Sequence, residues 1–134
     1  MAITRYAAKV AGLYPADAID ALRADMISET LNELGAACST IVYRERDPVV
    51  KAEKTKTLLA EVVPKALTTL EGFVSGKFFL GNDKVSYADV QLFNMLVNNL
   101  QANFPDFDAS PYPKLLAVAE SIKANAGIAA YVAK

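Results

Sequence analysis

Apolar residues in this chain recur at steps of three and four rather than two, and glycine and proline interrupt the pattern at intervals. The pattern predicts helices throughout, with no strand of useful length and no internal repeat. A first helix over Met1 to Ala11 carries Ile3, Tyr6, Ala7 and Val10 on one face, with Tyr6 expected to pack, and Gly12 follows as its stop. Pro15 and Asp17 open a long second helix running towards Arg46, with apolar positions at Ile19, Leu22, Met26, Leu34, Ala37, Cys38 and Ile41. Asp47-Pro48 restarts the helix, the acid as cap and the proline where a missing N–H costs nothing. The next helix carries Leu59, Val62, Val63, Leu67, Leu70 and Phe73, and Pro64 inside it predicts a kink.

Ser75 to Lys84 reads as a loop. The clearest local signal comes next, in Val85-Ser86-Tyr87-Ala88-Asp89-Val90. Ser86 is a natural N-cap, and Asp89 can return a hydrogen bond to its amide, while Val85 and Val90 sit where a hydrophobic staple belongs. The helix that follows is apolar over most of its circumference, so it belongs at the centre of the fold. A proline-rich loop, an amphipathic helix over Lys114 to Asn125, a break at Gly127 and a short last helix complete the chain. The expected fold is all-α, a bundle of about six helices.

Composition narrows the function. The chain of 134 residues is 53% hydrophobic with net charge −1, so it can bury a core and lacks the basic face of a nucleic-acid module. Lys51, Lys54 and Lys56 are the one basic cluster, with Glu53 and Glu61 close by, and read as a solvated helix face. Histidine is absent, which excludes an imidazole base and histidine metal ligands. The single Cys38 allows no internal disulfide and fits a reducing compartment, as a small buried hydrophobe. No apolar run approaches the ~20 residues that span a bilayer, so a soluble cytoplasmic protein with no membrane partner is expected. Asp89 invites a catalytic reading as a buried acid, but its spacing to Ser86 accounts for it as a cap. Its replacement by alanine is expected to cost roughly 1–2 kcal/mol and impair folding.

Three segments resemble the glutathione transferase family. Phe79-Leu80-Gly81-Asn82-Asp83-Lys84-Val85-Ser86-Tyr87-Ala88-Asp89 is similar to its capping signature on the core helix. Ala2 to Lys9 with Gly12-Leu13-Tyr14 is similar to the end of its thioredoxin-like domain and the linker beyond. Tyr112-Pro113-Lys114-Leu115 with Ala129-Ala130-Tyr131 is similar to its C-terminal ending. The resemblance implies the C-terminal helical bundle of that family over 13–134, preceded over 1–12 by the last helix of a truncated thioredoxin-like domain. The segment Ala24-Asp25-Met26 with Glu29, Asn32 and Glu33 is closest to the sigma, alpha, mu and pi group, and the chain as a whole most resembles the sigma class, which includes prostaglandin D synthases.

The resemblance also implies roles. Glutathione would be the co-substrate, and Glu33 matches an acid that reaches the glutathione amine in the partner subunit. Glu29, Asn32 and Glu33 match acids that hold a divalent cation in sigma-type synthases. Asn32 is neutral, so no metal is expected. An ordinary solvated acidic face is the alternative for all three. Gly35, Thr40 and Gln91 match lining positions of the substrate pocket, Gly35 widening it, or they serve packing. The family's catalytic tyrosine and main glutathione contacts fall before the segment that matches Met1, so no catalytic residue is assigned.

Two functions follow from the resemblance. The chain supplies the electrophile pocket and dimer interface of a conjugating enzyme and is inactive alone. Alternatively it is a carrier for a small apolar ligand or an interaction scaffold. Either way a homo-oligomer is expected, because an uncovered apolar patch needs a partner.

Overall fold

The computed structural model describes residues 1–134. Seven α-helices run α1 (Ala2–Val10), α2 (Ala18–Ser39), α3 (Pro48–Thr57), α4 (Val63–Phe73), α5 (Tyr87–Asn94), α6 (Pro113–Lys123) and α7 (Ala126–Val132). Wide π-helical turns extend three of them: Thr40–Arg44 after α2, Leu58–Val62 between α3 and α4, and Met95–Gln101 after α5. Helices joined in this way count as one, so the bundle has six continuous rods.

Local chemistry sets the helix starts. Asp17 accepts from the Ile19 and Asp20 amides, both at 3.0 Å, and Asp47 accepts from Val49 at 2.9 Å with Pro48 in the first turn. Such caps satisfy N–H groups that have no partner inside the helix. At Pro64 the structure has more than a kink. The π turn over Leu58–Val62 lies immediately upstream, where a wider register accommodates a residue that cannot donate. The last break is also differently made. Gly127 lies inside α7, and Asn125 ends the preceding run by accepting from the Gly127 and Ile128 amides.

α5 is the centre of the bundle. It packs between α2 and α6, and Ala88, Leu92 and Leu100 of this rod are wholly buried, as are Leu115 and Val118 of α6. Its start is held by Asp89, also wholly buried. One carboxylate oxygen accepts from the Ser86 amide at 2.8 Å and the Ser86 hydroxyl at 2.9 Å, and the other accepts from the Phe79 amide at 2.9 Å. The acid therefore caps α5 and ties down the loop that bridges Phe78 to Gly81. Burial pushes its carboxyl above the ordinary value, against the pull of these donors.

The inward face of α2 differs from the expected one at its start. Ala24, Ile27, Ser28, Leu31, Leu34, Cys38 and Ile41 are buried, whereas Ile19, Leu22 and Met26 are exposed. Both stripes repeat at steps of three and four, and the one facing α5 and α4 is the one covered. The apolar face of α1 is likewise outward: Ile3, Tyr6 and Val10 are exposed, so Tyr6 does not pack, and only Ala8 is buried in that helix. No single helix is long and apolar enough to cross a membrane.

Candidate functional site

The polar groups of the bundle converge on the seam between α2 and α5. At one end Asp25 gathers three donors from three parts of the chain. Tyr87, the first residue of α5, donates its hydroxyl to Asp25, Arg5 of α1 donates at 3.2 Å, and the Tyr14 hydroxyl lies at 3.4 Å. The Tyr14 and Tyr87 rings stack with centroids 5.8 Å apart, and the Tyr87 amide donates to the Leu13 carbonyl at 3.0 Å. Burial would raise the Asp25 carboxyl, but the bonds from Tyr87, Arg5 and Tyr14 outweigh it and hold it below its ordinary value. The Tyr87 hydroxyl is pushed far above its own, first by burial and then by its bond to the Asp25 carboxylate. A tyrosine so held cannot ionise near neutral pH and is a poor acid. This end of the seam is a clamp joining α1, the connection after it, α2 and α5.

One turn further on, buried Ser28 donates to the side-chain carbonyl of Gln91. That bond fixes Gln91 in the wall of a cleft of about 230 Å³. Asn32, Gly35 and Ser39 of α2 form one side, and Gln91, Asn94 and Asn99 of the α5 rod form the other, with Leu31 and Met95 as its apolar part. At Gly35 the absence of a side chain keeps the cleft open, because a Cβ there would meet the Met95 methyl at 3.3 Å.

Three of the expected site residues, Asn32, Gly35 and Gln91, thus meet in one cleft. Thr40 does not join them. It is exposed, its hydroxyl donates back to the Ala36 carbonyl at 2.9 Å, and its neighbour Ser39 lines the cleft instead. Thr40 begins a π turn, which changes the phase of the helix at that residue. Glu33 lies in a different groove, between α2 and α4, beside Glu61 and Lys65. Glu29 lies 3.5 Å from Arg5. Glu29, Asn32 and Glu33 therefore share no single site: Glu29 is ion-paired to Arg5, Asn32 is a neutral amide in the cleft, and Glu33 lies in the other groove. The cleft is also more polar than a site for an apolar ligand, with five amide or hydroxyl side chains against two large apolar ones.

Sequence reasoning did not single out Asp25, Tyr87, Ser28, Asn94 or Asn99. The asparagines carried a readable signal, since Asn94, Asn98, Asn99 and Asn103 repeat at helical steps on one rod. The Asp25 clamp joins positions up to 62 residues apart and has no local signature.

The family described as glutathione S-transferase, C-terminal domain, matches residues 32–134. A glutathione S-transferase of Anopheles gambiae is 32% identical over all of this chain and 66% of its own length. S-crystallin SL11 of Nototodarus sloanii is 31% identical over all of this chain and 65% of its own length. The prostaglandin synthase D of Nilaparvata lugens superposes with a TM-score of 0.86 at 26% identity, over 99% of this chain and 66% of that one. The chain therefore spans just under two thirds of the length of these relatives.

Proposed function

The chain belongs to the glutathione S-transferase family, and from that premise we propose that it supplies the electrophile-binding cleft of a glutathione-conjugating protein. In that reaction the glutathione thiolate adds to an electrophilic carbon, with glutathione as co-substrate. The observation that carries the reading is the α2–α5 cleft, where Asn32, Gly35 and Gln91 line one space. Residues 13–134 are the helical domain of such a protein. Residues 1–12 are the closing helix of a neighbouring thioredoxin-like domain, a reading supported by the outward apolar face of Ile3, Tyr6 and Val10. Glu33 is the residue we assign to the glutathione amine, as an exposed acid clear of the cleft. Cys38 is buried, its thiol pushed up by burial, which suits the reducing cytoplasm and a structural role.

By itself this 134-residue chain should not conjugate. Lowering a thiol pKa takes a positive charge or a well-placed donor. No tyrosine, lysine or arginine lines the cleft. Tyr14 and Tyr87 both direct their hydroxyls to Asp25. The test is retention on glutathione-agarose together with conjugation of 1-chloro-2,4-dinitrobenzene, with no retention and no rate above background expected. Retention with turnover would refute the division of labour.

A second reading has its own support. Ile3, Tyr6, Val10, Ile19, Leu22 and Met26 expose an apolar surface on α1 and the start of α2, and a crystallin stands among the relatives. In that reading the chain is a non-catalytic carrier or scaffold that self-associates through this surface. Sedimentation of Leu22→Glu tests this surface: loss of self-association is expected, and an oligomer unchanged by the substitution would place the association elsewhere.

A further inference from the structure

Resting on the reading of the α2–α5 cleft as the ligand pocket, we propose that it takes the uncharged, hydrogen-bonding end of a ligand, a carboxamide, carbonyl or hydroxyl group, in preference to an all-carbon surface. The lining carries no ionisable side chain, so a charged ligand end finds no counter-ion there. What it carries is unspent hydrogen-bonding capacity. Asn32 and Ser39 make no side-chain hydrogen bond within the chain, and the amide nitrogens of Gln91 and Asn94 have no partner. The carbonyl oxygens of those two each accept one bond already, Gln91 from the Ser28 hydroxyl and Asn94 from the Asn98 amide at 2.8 Å. Gln91 and Asn94 are therefore oriented with their amide N–H groups free and part of their acceptor capacity in use, which favours an acceptor on the ligand.

Two further features set this cleft apart from ordinary polar surface. Ser28 is wholly buried and serves to hold Gln91, an arrangement that orients a side chain without adding to the apolar core. Both walls meet π turns: Thr40–Arg44 follows directly after Ser39, and Met95–Gln101 follows Asn94 and itself carries the lining residues Met95 and Asn99. Such turns are rare and concentrate at functional sites. A ligand that brings only carbon to this wall would strip water from the amides without replacing its bonds, at a loss of affinity.

Amide resonances of the isotopically labelled 134-residue chain would be followed while benzamide, toluene and benzoate are titrated in turn. The three probes share one ring and differ only in the group offered to the wall. Benzamide is expected to move the side-chain NH₂ signals of Gln91 and Asn94, binding at least about fivefold more tightly than toluene, the worth of one net hydrogen bond. Gln91→Leu and, separately, the exposed Asn94→Leu should each reduce that preference while leaving the helical circular dichroism unchanged. Equal or tighter binding of toluene at the same signals would overturn the ligand class and leave the cleft as a pocket. Tightest binding of benzoate would overturn the requirement for an uncharged group. If no probe moves those signals, the cleft is not a ligand pocket, and both this proposal and the reading beneath it fall.

Discussion

Replacing Asp89 with alanine should be among the most damaging single changes in the chain. The carboxylate is wholly buried and accepts three bonds, from the Ser86 amide, the Ser86 hydroxyl and the Phe79 amide. Capping alone accounts for about 1–2 kcal/mol, the usual cost of losing an N-terminal cap. The Phe79 amide adds to this, because a buried donor left without an acceptor costs about 1–3 kcal/mol more. The expected loss is therefore about 3–4 kcal/mol, a large share of a total stability that is typically 5–15 kcal/mol. Urea denaturation followed by circular dichroism at several concentrations would measure it. Ser86→Ala should cost less, about 1 kcal/mol, since it removes the hydroxyl that donates to the Asp89 carboxylate and accepts from the Asp89 amide but leaves the Ser86 and Phe79 amides paired to the acid. A loss below about 1 kcal/mol for Asp89→Ala, or a larger loss for Ser86→Ala, would show that the acid is not the shared anchor of α5 and the preceding loop.

Further outcomes follow from the same structure. Asp25 is held below its ordinary value, so it adds stability above the unfolded-chain pKa and loses it as pH falls through the folded one. Asp25→Asn should thus be less stable than the native chain near neutrality, and the gap should close below about pH 4 in an acid titration of stability; a constant gap would contradict the clamp. Glu71 reaches from α4 to accept from the Lys114 and Leu115 amides, both at 3.0 Å, so it caps α6 across the bundle. Glu71→Ala should cost about 1–2 kcal/mol in urea, with faster hydrogen exchange concentrated in the first turn of α6. Gly35→Ala should be near neutral or stabilising by up to about 1 kcal/mol, as alanine favours helix and the Met95 methyl can shift. Gly35→Leu should close the cleft and abolish probe binding while the chain remains folded.

What could be read from the residues alone was what depends on close neighbours. Asp17, Asp47 and the Ser86–Asp89 pair announce helix starts because a cap and its target lie two or three residues apart. Periodicity identified α2 but chose the wrong stripe at its start. Ile19, Leu22 and Met26 keep the same spacing as the buried Ala24, Ile27 and Leu31, and only tertiary contact decides between them. Of the three residues the resemblance implied for the pocket, Gly35 and Gln91 line the cleft, whereas Thr40 is exposed at the start of a π turn and bonds back to Ala36. Ser28 and Gln91, 63 residues apart, and Glu71 with the start of α6 belong to contacts between rods, for which the chain has no local sign.

The thiol of glutathione itself gives the most direct test of the division of labour. Its ultraviolet thiolate absorbance would be titrated against pH with and without an excess of the 134-residue chain. An unchanged thiol pKa is expected, since no cationic side chain and no tyrosine hydroxyl lines the cleft; a pKa lowered by one unit or more would mean that these helices ionise the sulfur unaided.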